Sequence, residues 1–251
     1  FLLATGGTVL AANGPLVYGQ VLDDQSGRPL ADARVELWNS DQPSSAPGSI
    51  TRTDAEGSYQ ISLPVADAIL RITAPGYNEA FRSVAATKHK VRRIADARLS
   101  RRYESPPFDF RVGTRLELVP AEVELQVPPG AFADQVTFFA TRLSDQALPA
   151  SLPLGWSPIW SFELQATTGK LNTPLRLRLQ SLLKSGYLVA VFDPAAQEWL
   201  HLEGIETEEP DSGLVFDLAK LGVVVLLKPD PPPHTPLVPE NGAVVSGVKP
   251  A

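Results

Sequence analysis

The chain has 251 residues, 43% of them hydrophobic and 20% charged, so it can fill the cores of one large or two ordinary domains and is not disordered as a whole. Its formal net charge of −6 argues against nucleic-acid binding, which needs a basic face. Cysteine and methionine are absent, which excludes disulfides and thiol chemistry and indicates that residue 1 is not a translation start.

Residues 1–15 are predicted to form an apolar extension. Its first part, FLLATGGTVLAANG, resembles the end of a secretory signal. No apolar run in the chain reaches the roughly 18 residues needed to span a bilayer. The extension is β-prone, so it either folds back on its own domain or is accepted as an extra strand by a neighbouring copy. Its candidate partner-binding residues are Leu2, Leu3, Val9 and Leu10.

Short runs of alternating apolar and polar residues between positions 16 and 102 predict a β-sandwich. The segments VYGQVLD and ARVELW, joined by a turn at DQSGRPL, predict a half-buried hairpin. Val17, Val21, Val35 and Leu37 would face one way and polar residues the other. Further strands are predicted in SYQISLP, AILRITAPGY and FRSVAATKHKVRRIADARL, and no window of helical period is long enough to compete.

The stretch TDAEGSYQI, residues 53–61, predicts a tight turn between two strands. Asp54 can accept hydrogen bonds from backbone N–H groups two residues on, and Gly57 supplies the positive φ of a tight hairpin. Tyr59 and Ile61 then point into the core. A calcium loop is the alternative, but it needs more oxygen ligands than Asp54 and Glu56 offer.

Three segments, GQVLDDQSGRPLADARVEL, TDAEGSYQI and LRITAPGY, resemble the carboxypeptidase regulatory-like domain. The resemblance covers nearly all of residues 17–99 and implies a transthyretin-like β-sandwich that is non-catalytic in enzymes, surface proteins and adhesins. Some related adhesin domains contain a Lys–Asn isopeptide crosslink. Here no lysine precedes Lys88, so no such bond is expected.

A second β-sandwich is predicted over residues 103–230. The segments VELQVPPGAF, GWSPIWSFEL and TPLRLRL are similar to the domain named from zonula-occludens and netrin-receptor proteins. Leu175, Leu177 and Leu179 are predicted to face inward, and GYLVAVFDPAAQEWLHLEG to form a hairpin through Asp193. Some family members cleave themselves at a His-Phe-Ser site, but VFDLAKLGVVVLL contains neither His nor Ser. The tandem also resembles stalk segments of large bacterial surface proteins of the Rhs/teneurin-like type.

Residues 231–251 are predicted to be a proline-rich linker and C-terminal tail. The run GAVVSGV within them predicts one further strand, which would fold back or pair with a neighbouring copy.

No arrangement of residues indicates catalysis, a cofactor or a metal. His89, His201 and His234 lie in separate segments without ligand spacing. There is no Gly-x-Ser-x-Gly elbow and no phosphate loop, and nothing in the sequence selects a pair of acidic residues for hydrolysis. We therefore expect a chain that is not an enzyme.

The segment KHKVRRIADARLSRR, residues 88–102, is the strongest charge feature of the sequence. Its candidate partner-binding residues are Lys88, Lys90, Arg92 and Arg93. They either protect an edge strand against wrong pairing or bind an anionic glycan or another subunit. The acidic run at residues 203–211 is predicted to be a solvated loop that could pair with the basic edge of a neighbouring copy.

The four tryptophans, Trp38, Trp156, Trp160 and Trp199, are predicted to pack in cores or between domains; a carbohydrate-stacking platform is the alternative. Together these features predict an all-β protein of two tandem β-sandwiches with extended tails. The expected function is a non-catalytic extracellular structural or adhesion module of a bacterial cell surface. A filament subunit built by strand addition of a tail and a carbohydrate- or protein-binding module of a secreted protein are the alternatives. The expected partners are other copies of the chain or adjacent domains of a larger protein, and a glycan under the last alternative.

Overall fold

The computed structural model of the protein describes residues 15–38, 50–63, 66–86, 90–105, 111–118, 123–133, 135–167, 170–179, 187–203, 206–207 and 213–230. Within these ranges every regular element is a β-strand, and there are nineteen. The strands form four sheets around two main hydrophobic cores. The prediction of an all-β chain of two tandem β-sandwiches is confirmed.

The first sandwich contains eight strands: β1 (Leu16–Asp23), β2 (Arg34–Trp38), β3 (Ile50–Arg52), β4 (Ser58–Ser62), β5 (Ala68–Thr73), β6 (Ala80–Val84), β7 (Val91–Arg93) and β8 (Ala97–Leu99). Sheet I has the order β4-β1-β7, and β8 also pairs with β1. Sheet II has the order β3-β2-β5-β6. Strands β1, β2, β4, β5, β6 and β8 turn apolar side chains toward the opposite sheet, and these side chains meet in one core.

The predicted hairpin between β1 and β2 is wrong. Strand β1 pairs with β4 and β2 pairs with β5 and β3, so the two strands lie in opposite sheets. The face prediction is nonetheless right, because Val17, Val21 and Val35 are fully buried in the core between the sheets and Leu37 packs against it. Alternation reports which side of a strand faces the core and does not report which strand lies beside it.

The turn around Asp54 has the predicted local chemistry. Backbone N–H groups of Glu56 and Ser58 donate to Asp54 Oδ1 at 3.1 and 2.7 Å, and Gly57 has a φ of 70°. Tyr59 is buried as expected. The turn does not close a hairpin, however, because β3 belongs to sheet II and β4 to sheet I. It carries the chain from one sheet to the other.

The second sandwich contains eleven strands: β9 (Tyr103–Glu104), β10 (Thr114–Leu118), β11 (Val123–Val127), β12 (Phe138–Arg142), β13 (Trp156–Ala166), β14 (Leu175–Leu179), β15 (Leu188–Asp193), β16 (Glu198–His201), β17 (Glu206–Thr207), β18 (Leu214–Leu218) and β19 (Gly222–Pro229). Sheet III has the order β16-β15-β19-β13-β12-β9, and sheet IV has the order β10-β11-β14-β18-β17. Leu175, Leu177 and Leu179 face the core between them, and β15 and β16 form the predicted hairpin.

The two sandwiches pack on each other through sheets II and III. Trp38, Ile69 and Phe81 of sheet II contact Phe192 and Val223 of sheet III in a separate apolar cluster. These side chains lie on the faces opposite the two main cores. The four sheets therefore stack in the order I, II, III, IV, with sheets I and IV outermost.

Candidate functional site

A row of four aromatic rings crosses the contact between the sandwiches, which we call the seam. Trp38 meets Phe81 edge-on with ring centroids 5.8 Å apart, Phe81 lies 5.8 Å from Phe192, and Phe192 lies 5.1 Å from Trp199. The Arg71 guanidinium lies 4.7 Å from the Trp38 ring centroid. Edge-on and tilted pairs at these distances stabilise a contact beyond the area they bury.

Polar contacts fix the register of the seam. The N–H of Phe81 donates to the carbonyl of Pro149 at 2.8 Å, so the free edge of β6 is capped by a segment of the second sandwich. The Arg82 guanidinium donates to that carbonyl at 3.3 Å and to the carbonyl of Asp96 at 3.0 Å. Ser144 donates to Asp24 Oδ1 at 2.6 Å. Directional bonds of this kind hold the two bodies in one orientation.

Glu163 is a carboxylate buried at the seam, only 1% exposed. Arg102 Nε donates to Glu163 Oε2 at 3.3 Å, and Gln165 Nε2 donates to its Oε1 at 3.0 Å. Burial raises the pKa of Glu163 to about 7, against the opposing effect of Arg102 and with a smaller contribution from the charge of Glu79. This carboxyl therefore changes charge near neutral pH.

A cleft of about 270 Å³ lies beside Glu163 and is lined from the first sandwich by Glu79 and Phe81 and from the second by Phe192 and Gln165, among others. Two carboxyl groups in a cleft are the arrangement of an acid–base pair. Here, however, Arg71 Nε donates to Glu79 at 2.6 Å, and Glu163 has both oxygens engaged and little access to solvent. The arrangement is that of a structural ion-pair network between the domains.

A second polar cluster lies at the end of the first sandwich, around Asp23. Tyr77 Oη donates to Asp23 Oδ2 at 2.8 Å, Arg101 Nε donates to the same oxygen at 3.2 Å, and the N–H of Ser26 donates to Oδ1 at 2.8 Å. Burial alone would raise the pKa of Asp23, but these hydrogen bonds outweigh it and lower the pKa well below the usual range. The carboxylate thus ties β1 to two later segments.

Strand β7, which belongs to the basic segment, lies at an edge of sheet I among the described residues. Its residues Arg92 and Arg93 and the preceding Lys90 are exposed. This agrees with the predicted edge strand. Lys88 and His89 lie outside the described residues, as do His234 and the apolar candidates of the N-terminal extension, Leu2, Leu3, Val9 and Leu10.

The four tryptophans pack inward. Trp38 and Trp199 contact the seam cluster, Trp160 lies in the core of the second sandwich, and Trp156 packs on a small cluster against the outer face of sheet III. They do not form an exposed stacking platform for a sugar. Within the described ranges, no group of three or more histidine and acidic side chains could hold a metal ion.

The sequence interpretation missed Glu163 and the seam partners of Phe81. One signal for Glu163 was available, since a carboxylate between Phe162 and Leu164 interrupts an apolar strand. Its partner Arg102 is 61 positions away, and no local pattern connects the two.

Residues 17–100 match the family model of the carboxypeptidase regulatory-like domain, which confirms that resemblance for this part of the chain. No match was found among curated proteins. In the part of the chain that the structure describes, no helix is long and apolar enough to cross a membrane.

Among solved structures, 3-chlorocatechol 1,2-dioxygenase from Rhodococcus opacus is 16% identical with a TM-score of 0.25, covering 35% of this chain and 61% of its own. The major pilin subunit of Bacillus cereus is 9% identical with a TM-score of 0.27, covering 86% of this chain and 59% of its own. A DUF3823 family protein from Parabacteroides merdae is 9% identical with a TM-score of 0.23, covering 87% of this chain and 100% of its own. The chain thus spans less than two thirds of the dioxygenase and of the pilin, and similarities this slight carry no argument about function.

Proposed function

We propose that this chain is a non-catalytic structural module of an extracellular, bacterial cell-surface assembly, in which two sandwiches joined as one stiff block space or present other parts. The observation that carries the proposal is the seam. Its aromatic row runs from sheet II through Phe81 and Phe192 to the far edge of sheet III. A chain that only tethered two domains would not need a buried aromatic contact between them.

Burial of the two central rings stabilises the seam. Phe81 is 3% exposed and Phe192 is 4% exposed, and burying a large apolar side chain contributes about 1.5–3 kcal/mol. The capped edge of β6 adds directional hydrogen bonds. Such a contact resists hinge motion between the two sandwiches.

The described residues also favour a non-catalytic role. Glu79 and Glu163, the two carboxyl groups that line the cleft at the seam, are engaged by arginines. The family model that matches the first sandwich is described as regulatory-like. For the second sandwich we propose the type named from zonula-occludens and netrin-receptor proteins, on the strength of its sequence segments.

Distance measurements between spin labels test the stiffness. The chain lacks cysteine, so Gln60→Cys and Glu117→Cys, both at exposed strand positions, would label one site in each sandwich. We expect a narrow distance distribution, which Phe81→Ala broadens and which the matched control Tyr103→Ala, at a 55% exposed aromatic, leaves narrow. A broad distribution in the unaltered protein would refute the spacer role.

A filament subunit remains a second proposal, because β7 lies at an edge of sheet I among the described residues and an edge strand can accept another strand. Electron microscopy of the chain with and without residues 1–14 tests the version in which the N-terminal extension is the donor. Fibres that disappear on truncation support it, and identical monomers in both samples contradict it.

A further inference from the structure

A second cleft, of about 580 Å³, lies between the two sandwiches. The first sandwich contributes β6 and the connection between β7 and β8 to its walls, and the second contributes residues of the segment 145–152 and the turn between β15 and β16. All of its lining residues belong to the described ranges. Small-molecule sites have volumes of about 300–1,000 Å³ and are frequent between domains.

Arg82 is a mostly buried cation on the wall of this cleft. Its Nη1 donates to the carbonyls of Phe81 at 2.8 Å and Pro149 at 3.3 Å, and its Nη2 donates to the carbonyl of Asp96 at 3.0 Å. The Asp96 carboxylate pairs instead with Arg93, at 3.1 Å. Among the described residues, the hydrogen-bond partners of Arg82 are therefore all neutral carbonyl groups.

The guanidinium of Arg82 has unused donors on one edge. It carries five N–H groups, and its three hydrogen bonds leave Nε–H and one Nη2–H without a protein partner in the part of the chain that the structure describes. These two groups lie side by side, on an edge that can pair bidentately with a carboxylate. Burial lowers the pKa of Arg82, and the nearby charge of Asp96 opposes this only in part. An anion at the unused edge would therefore be favoured.

The rest of the wall suits hydroxyl groups. Asp145, Gln146 and Ser151 are exposed where they line the cleft, and their side chains together offer hydrogen-bond donors and acceptors. Among the described residues Asp145 forms no salt bridge, so its charge would repel a ligand with several negative charges. Leu152 and Pro158 add apolar contact surface. The lining thus favours a polar ligand with a single negative charge.

We propose that this cleft binds a hydroxylated monocarboxylate of sugar size, such as a uronic acid, with its carboxylate on the unused edge of Arg82. Its hydroxyl groups would contact Asp145, Gln146 and Ser151. The ligand would touch both sandwiches, because Arg82 belongs to the first and the polar wall to the second. The inference goes beyond the structural role and does not depend on the stiffness of the seam. If Arg82 serves only to bind the carbonyls at the seam, no such ligand binds.

NMR titration of the ¹⁵N-labelled full chain with galacturonate and with glucuronate, up to about 50 mM at an ionic strength of about 0.15 M, is the direct test. We expect saturable shifts with at least one of them, centred on the backbone amides of Arg82, Asp96 and Ser151. Galactose and glucose lack the carboxylate, and acetate lacks the hydroxyl groups. Each of these three should bind at least about tenfold more weakly.

Two variants locate the binding. Arg82→Gln removes the charge and should weaken binding at least about tenfold. Ser83→Trp keeps Arg82 and places a large side chain in the cleft from an exposed strand position, so it should abolish binding. Ser58→Trp, the same replacement at an exposed position of β4, is the matched control and should have no effect. Circular dichroism is used to confirm that each variant is folded.

Four results would overturn the proposal. They are the absence of saturable shifts with both uronates, shifts centred outside the cleft, galactose, glucose or acetate binding as tightly as the uronates, and a Ser83→Trp protein that binds as well as the Ser58→Trp protein. The last comparison decides the matter even if Arg82→Gln does not fold, because both tryptophan variants keep the guanidinium in place.

Discussion

Glu163→Gln should stabilise the protein relative to the unaltered chain, and this gain in the free energy of unfolding should be larger in alkaline than in acidic buffer. The carboxyl is 1% exposed, and its burial raises its pKa from 4.5 to about 7. Between those two pH values the unfolded chain releases this proton and the folded chain keeps it. The free energy of unfolding therefore falls as the pH rises through this window and is constant with respect to this group above it.

The size of the effect follows from the same values. Each tenfold change in acidity corresponds to about 1.4 kcal/mol, so the interval from 4.5 to about 7 corresponds to about 3 kcal/mol for this one group. Glutamine keeps the shape of the protonated carboxyl and keeps an acceptor for Arg102 Nε, which lies 3.3 Å from the native carboxylate. Glu163→Gln should thus gain up to about 3 kcal/mol on the unaltered protein between pH 5 and pH 8.

Urea unfolding at half-unit steps from pH 4.5 to 8 measures this difference directly. Histidines and other acids titrate alike in both proteins, so subtraction isolates Glu163. The control is Glu117→Gln on the exposed side of β10, which should leave the pH profile unchanged. If the profiles of Glu163→Gln and the unaltered protein run parallel, burial does not hold the carboxyl protonated, and the account of Glu163 as a desolvated group at the seam is wrong.

Two further predictions concern the first sandwich. Tyr77→Phe removes the 2.8 Å hydrogen bond to Asp23 and should cost about 1–3 kcal/mol at pH 7. Because the pKa of Asp23 is held well below the usual carboxyl range, this carboxylate stays ionised in the folded chain at pH 3, and the loss should be the same at pH 3 as at pH 7 in urea unfolding. A loss that shrinks markedly at pH 3 contradicts this. Gly57→Ala should lower the melting temperature by several degrees, since the new Cβ would lie 2.5 Å from the carbonyl oxygen of Val21 and the residue has a φ of +70°. The control is Gly76→Ala, which also has a positive φ but open space around the new Cβ. Its melting temperature should fall by less.

Alternation in the sequence was sufficient to locate most strands and their buried sides. Leu175, Leu177 and Leu179 show this well, because a period of two places all three on the core face whatever strand lies beside them. The pairing of strands could not be predicted from this alternation. Strands β1 and β2 are separated by a turn segment that suits a hairpin, yet each finds its partner further along the chain, and local pattern does not encode that choice.

The seam shows the same limit at the level of the site. Trp38 and Trp199 could be expected to pack somewhere, because large aromatics are seldom left in water. That they pack through Phe81 and Phe192 depends on how two folded bodies meet. The raised pKa of Glu163 likewise depends on burial by residues distant in sequence. The basic edge could be predicted, since three cations in a short strand-like segment are visible without any fold.

The hydrogen bond that caps β6 affects whether the first sandwich can be separated from the second, in evolution or in a recombinant fragment. Excised at the end of the regulatory-like region, the first sandwich would present Trp38, Ile69 and Phe81 to water beside an N–H that has lost the Pro149 carbonyl. An exposed apolar surface next to an unpaired strand edge favours aggregation. Genetic rearrangement should therefore tend to transfer both sandwiches as one unit. A recombinant first sandwich should stay soluble only when residues 145–152 are included.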